Sequence, residues 1–257
     1  MNMTRFTNRV LGILTVFAVL LSSGCRENNE SGILNLNTTL SWHDVELSIG
    51  DTVYDYMNRP VRPEKLYCYI SNISLRSDEG EWVNSSSISR LDFIPFSANA
   101  IGEFSSKKLR CSDTFNAIKF NVGVPSELNQ GVDPTSYPNN HPLSVLGSAG
   151  MRWDMNNSYF FVKFEGKLAV ENGGLIEIPF ALHPATDPLY RTVVIETNEF
   201  SFHTNDDLEF QLDLDIGLAL EGAAGDIDLS QVGHSMGEVP NAILFMDNLT
   251  TSWTLIE

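Results

Sequence analysis

From Leu40 onward, apolar and polar residues trade places with a period of two. Trp42, Asp44, Glu46 and Ser48 alternate in part with His43, Val45, Leu47 and Ile49, the pattern of a half-buried strand. Leu66 to Ile70 is denser in apolar residues, as expected of a strand covered on both faces. Phe115–Val124, Tyr159–Val170, Leu175–Leu182, Thr192–Glu196 and Leu208–Leu218 read the same way. Turn signals punctuate these runs at Asp78-Glu79-Gly80, Asn172-Gly173-Gly174 and Asn205-Asp206-Asp207. Asn172-Gly173-Gly174 lies between two strand-like runs and predicts a hairpin. Helical periodicity is scarce. Its best case is Val239–Leu249, where Pro240 suits a first helical turn. Gln130–Ala149, rich in Pro, Asn and Gly, reads as a long loop. The pattern predicts an all-β chain. It is a single antiparallel β-sandwich with a short C-terminal helical segment and a core on Tyr69, Phe120, Val122, Phe161, Phe164 and Phe180.

The N-terminus follows a different pattern. Arg5 and Arg9 precede an apolar run, Val10–Leu21, that is short for a membrane span. Ser22-Ser23-Gly24-Cys25 supplies the small residues a signal peptidase needs, and the whole resembles a bacterial lipobox. Residues 1–24 are therefore expected to be a lipoprotein signal peptide. Residues 25–38 are read as a polar tether and 39–257 as one domain. Cys25 is the expected lipidation site. Arg26, rather than Asp, follows it, which points to the outer membrane, with the domain facing the periplasm or the cell surface. The formal net charge is −17, and loss of Arg5 and Arg9 makes it more negative. Such a field disfavours nucleic acid and anionic headgroups as partners.

Cys68 and Cys111 remain, an even pair that an oxidising compartment could join in a disulfide, with two separate thiols as the alternative. No nucleophile elbow, phosphate loop, His-Glu-x-x-His or haem-attachment motif is present. Asp213 and Asp215, two apart on one strand face, suit a solvated surface. Asn129 with Asp133 offers oxygens for a hard cation, without the Asp-x-Asp-x-Asp-Gly cadence of a calcium loop. The reading is of a chain that is not an enzyme.

There are five histidines, and none has a local metal spacing. Imidazole suits copper or zinc, so a site would need histidines from separate strands. His43, His183 and His203 lie in strand-like segments, and His141 and His234 in loops. Trp153 sits between Arg152 and Asp154, as a core or rim aromatic or as an oxidisable residue at a docking face.

Several motifs follow in order: Tyr69-Ile-Ser-Asn-Ile-Ser-Leu75; Phe120-Asn-Val-Gly-Val-Pro125 with Glu127-Leu-Asn129; Gly150-Met-Arg-Trp153; Tyr159-Phe-Phe-Val-Lys-Phe-Glu-Gly166; Phe180-Ala-Leu-His183; and Met246-Asp-Asn-Leu249. The series, from about Leu40 to the end, resembles the MbnP family, copper-associated exported proteins found beside methanobactin genes. The resemblance implies an envelope β-domain. In some members it implies copper held by histidines near a tryptophan oxidised by a partner dihaem enzyme. This chain departs from the family at Met155, where a second Trp is usual, at Ser158 in place of Gly, and at Pro184 after His183. With the resemblance, His43, His183 and His203 become the expected copper face, with Trp153 nearby as a redox or partner residue. The alternative is an accessory domain without metal that partners an envelope protein such as a dihaem peroxidase.

The signal reading has a direct check. Cys25→Ser should move the protein from the membrane to the soluble fraction. A variant that stays membrane-bound and uncleaved contradicts the lipoprotein assignment.

Overall fold

The computed structural model describes residues 31–93, 98–105, 108–109 and 114–256. Cys25 and Cys111 lie outside the described residues. So do the signal segment and residues 25–30.

Two sheets pack face to face, as the alternation predicts. The first runs Trp253–Ile256, Asp207–Asp215, Ser31–Trp42, Val45–Glu46, with Ala98–Ser105 also paired to Ser31–Trp42. The second runs Arg191–Ser201, Thr114–Val122, Pro60–Ser77, Val162–Leu168, Ile178–His183, His234–Met236. Three short strands, Val53–Tyr54, Trp82–Asn84 and Ile88–Phe93, also pair with Pro60–Ser77. Most pairings are antiparallel. The two exceptions are Ser31–Trp42 with Asp207–Asp215 and Ile178–His183 with His234–Met236.

The first strand corrects the tether reading. It starts at Ser31, so residues 31–38 belong to the sheet. Leu34 and Leu36 point inward and are fully buried. Asn35 and Asn37 point outward and donate to the carboxylates of Asp207 and Glu209. The outward polar residues gave the stretch a linker's composition while its alternation was that of a strand.

The long strand Pro60–Ser77 changes partners at Tyr69. The Tyr69 amide donates to Phe161 O (2.9 Å), and its carbonyl accepts from Gly123 N (2.8 Å). Below this point the strand pairs with Val162–Leu168, and above it with Thr114–Val122. The switch needs close backbone approach. Gly123 has φ +123°, and a Cβ there would sit 2.7 Å from the Phe161 ring and 2.9 Å from the Tyr190 ring. Glycine is therefore required on both conformational and steric grounds. Asn72, with φ +52°, absorbs the register shift between Ser71 and Ser74.

The expected core residues Tyr69, Phe120, Val122, Phe161, Phe164 and Phe180 are all buried. Phe120 meets Trp253 of the other sheet edge-on (5.0 Å between centroids). The helix Pro240–Leu249 has proline in its first turn and stacks Phe245 on Phe164 (6.0 Å, 4°). Each buried phenylalanine contributes on the order of 2–3 kcal/mol. The hairpin at Asn172-Gly173-Gly174 joins Val162–Leu168 to Ile178–His183, with Gly173 at φ +77°. Cys68 is a buried free thiol, and burial pushes it far above the ordinary thiol range.

Asp215 is not a solvated surface carboxylate. It is buried, and it accepts from the amides of His43, Asp44 and Leu218. It thereby caps the short helix Ile216–Leu220. Asp213 accepts from the hydroxyls of Thr39 and Ser41.

Candidate metal centre

The three histidines expected to converge do not. His43 follows the end of the first strand in a left-handed turn (φ +50°) and pairs with Glu221 (Nε2–Oε2 3.1 Å). His203 lies beside the start of that same strand. A Cβ on Gly32 would be 2.8 Å from its carbonyl oxygen, and its ring pairs with Asp206 (3.1 Å). The strand between these two places spans roughly 35 Å, so His43 and His203 cannot share an ion. Both sit in turns, not on strands. There the backbone is closed by a carboxylate: Asp215 accepts from His43 N, and Asp206 from His203 N.

His183 does find a partner, and it is His234. His234 lies on a three-residue strand, His234–Met236, added parallel to the end of Ile178–His183. The register Ala181↔His234 and His183↔Met236 puts the two imidazoles and the Met236 thioether on one face. His234 Nε2 lies 3.3 Å from His183 Nδ1. The rings meet nearly at right angles (89°, centroids 5.0 Å apart). His183 is 4% exposed and His234 is exposed. The pair thus joins a buried imidazole to the surface.

The other nitrogen of His183 is fixed. Nε2 lies 2.9 Å from Glu165 Oε1. Glu165 is itself held by Lys65 (2.8 Å) and Lys163 (3.3 Å). Burial alone would raise the Glu165 carboxyl, but the two lysines outweigh it and hold it at about 2. Glu165 is therefore an acceptor only, and His183 Nε2 must carry the hydrogen. That leaves the Nδ1 lone pair directed at His234. Burial lowers the His183 pKa to about 4. Lys163 and His234 push the same way, and Glu165 opposes them. The ring is neutral at pH 7.

An aromatic stack backs the pair. Phe160 tilts against His183 (5.0 Å), and Trp153 stacks on Phe160 (5.6 Å, 19°). Trp153 belongs to the small hairpin of Arg152–Trp153 with Ser158–Tyr159. Its Nε1 is buried without a hydrogen-bond partner. Gly237 follows the histidine-bearing strand and donates to His183 O (3.0 Å). A Cβ there would lie 2.9 Å from the Trp153 ring. Trp153 thus stands near His183, through Phe160 and Gly237.

Two ligands on one ion, each about 2 Å from it, lie within roughly 4 Å of each other. The 3.3 Å pair meets that limit. Two imidazoles are the donor chemistry of copper or zinc rather than of a hard cation. Among the described residues, no group of three or more His, Cys, Asp or Glu is arranged to hold a metal ion. Glu165 is committed to His183 and the lysines. The oxygens considered for a hard cation are also committed. Asn129 donates to Asp187 and accepts from Tyr159 N, and Asp133 caps Thr135 N.

His234 is not legible as a site residue because its segment reads as a loop. Ser235, Met236 and Gly237 offer no strand periodicity, and the pairing is parallel and non-local. The available signal was the Phe-Ala-Leu-His183 strand end. A buried histidine there must find a partner for each nitrogen.

The family model described as MbnP matches residues 31–238. Among solved structures, the chain is similar to MbnP from Methylosinus trichosporium. The TM-score is 0.51 at 14% identity, over 79% of this chain and 83% of that one. No curated protein sequence matches the chain.

The pH dependence of stability follows from His183. Its pKa in the folded chain lies below the unfolded value of about 6.5. The unfolded chain therefore binds more protons as pH falls through that window. Stability is intact above about 6.5 and falls until about pH 4, by about 3 kcal/mol from this group. Denaturant melts of metal-free protein should show this loss. They should show less of it in His183→Gln. A wild-type profile flat from pH 7 to 4 contradicts the buried neutral assignment.

Proposed function

The chain belongs to the MbnP family, and on that premise we propose that it is a lipid-anchored, non-catalytic binding protein of the cell envelope that holds copper between His183 and His234. The observation that carries this reading is the facing of His183 Nδ1 and His234 Nε2 at 3.3 Å, with the far nitrogen of His183 tied to Glu165. A metal-binding imidazole is commonly oriented by a carboxylate on its other nitrogen. Here the lysine-held Glu165 does that work. Without metal, His234 Nε2–H donates to His183 Nδ1. Were copper bound, His183 Nδ1 and His234 Nε2 would be the nitrogens that hold it, and the His234 hydrogen would then sit on Nδ1. His183 stays in one tautomer throughout. The resident copper would supply redox or transfer chemistry, and this chain's part is to hold and present it.

Anchoring at Cys25 to the outer membrane belongs to this reading and rests on the signal sequence. So does a dihaem peroxidase-type partner, for which Trp153 is the aromatic next to the site. The second reading, an accessory domain without metal, is favoured by one observation. The described residues offer two imidazoles and no third committed ligand.

Titration of purified protein with Cu(I) against a chromophoric competitor decides between them. The expected result is one equivalent bound by wild type, lost or weakened at least about tenfold, ~1.4 kcal/mol, in His183→Ala and in His234→Ala. His43→Ala and His203→Ala should bind as wild type. Full binding by both of the first two variants, or none by wild type, removes the copper site and leaves the accessory domain.

A further inference from the structure

We infer that the end of the sandwich carrying His43 is a docking surface for a protein whose contact face is apolar and rimmed with lysine or arginine. Five large apolar side chains are exposed there: Val45, Tyr54, Tyr56, Met57 and Leu218. The hydrogen bonding places them together. Trp42 Nε1 donates to Tyr54 O (2.9 Å), and Tyr56 N donates to Glu221 Oε1 (2.8 Å). The other oxygen of Glu221 takes His43 Nε2, and the His43 ring lies against Gly217, next to Leu218. Val45 is paired with Trp42 in the adjoining hairpin. The other exposed large apolar residues among those described are spread along the sequence singly or, like Val145 and Leu146, as neighbours. An exposed group rich in Tyr and Met, on segments tied to one another, has the composition of an interface centre.

The surface is held in shape before any partner arrives. The turn bearing Tyr56 and Met57 is closed by Asp55, which binds Arg59 through Oδ2 and accepts its amide at Oδ1. Arg59 also binds Asp228 (2.7 Å). The buried guanidinium therefore ties the turn to a second segment of the chain. A pre-ordered turn lowers the entropy lost on binding.

Charge selects the occupant. Residues 43–58 and 215–228 contain no Lys or Arg; their exposed acids are Asp44, Glu46, Asp51 and Asp226, with Glu221 half-buried, while Asp215 is buried and Asp55 and Asp228 are spent on Arg59. Arg59, which follows the first segment, is buried and paired with Asp55 and Asp228. A second copy of this chain would bring a like acidic rim and a net charge of −17, which repels. A basic rim around an apolar centre is complementary. This surface is separate from the His183–His234 pair and does not depend on copper.

The test uses the whole chain, isotope-labelled for amide NMR, and two synthetic lysine-rich peptides of equal length and charge. One carries interspersed leucine and tryptophan, and the other carries serine in their place. The leucine–tryptophan peptide should shift the amides of residues 43–46, 54–58 and 216–221. The Tyr56→Ser, Met57→Ser double variant should bind it about tenfold more weakly. These side chains are exposed, so the variant should melt as wild type. Glu221→Gln should also weaken binding and reduce its salt dependence. Equal binding of the two peptides overturns the inference. So do shifts gathered on another acidic face, such as Asp207–Asp215, or unchanged binding by the double variant. Dimerisation of the chain in sedimentation as salt is raised, abolished by the double variant, would assign the surface to a second copy and overturn the basic partner.

Discussion

A buried imidazole must have a partner for each nitrogen, and His183 meets this demand in a way that organises the site. One nitrogen faces a carboxylate fixed by two lysines, and the other faces a second imidazole at the surface. Leaving either unpaired in so dry a place would cost roughly 1–3 kcal/mol. The network therefore sets which nitrogen bears the hydrogen and where the free lone pair points. The proposed copper site would use this already satisfied pair, with an ion in the place of the hydrogen between the two rings.

The fold supplies each member of that network from a different element. Glu165 and Lys163 come from Val162–Leu168, Lys65 from the facing long strand, and His183 from the end of Ile178–His183. His234 arrives on a short parallel strand at the sheet edge. Rigid strands hold such groups at fixed separation better than loops do. The partner change at Tyr69, with Gly123 against Phe161, sets the register of the strand that carries Lys65. The long segment Gln130–Ala149 serves the same framework. Its Pro142 and Leu143 carbonyls accept from Tyr69 and Tyr159, and Arg90 binds the carbonyls of Gly147 and Ala149. These contacts fasten the loop to the sheet.

The sandwich was legible in the sequence because its signals are local. Period-two alternation, Asn-Gly-Gly at a hairpin and Pro240 opening a helix each depend on neighbouring residues only. The first strand reads as a tether because Ser31, Asn35 and Asn37 are polar and outward, and the asparagines' partners lie far along the chain. The site was half legible. His183 and Trp153 were placed near each other through the motif resemblance. His43 and His203 were drawn in by position on apparent strands, yet each lies in a turn closed by a carboxylate. His234 was missed because parallel edge pairing leaves no mark in a three-residue segment.

The central claim is that Glu165 holds His183 as the Nε2–H tautomer with Nδ1 free for a metal. Long-range nitrogen–proton NMR of the histidine rings tests it most directly, on protein without metal and after Cu(I) is added. The account predicts a protonated Nε2 on His183 in both states, with Nδ1 of His183 and Nε2 of His234 shifting together on Cu(I). A hydrogen on Nδ1 of His183, or Cu(I) shifts confined to other histidines, would contradict it.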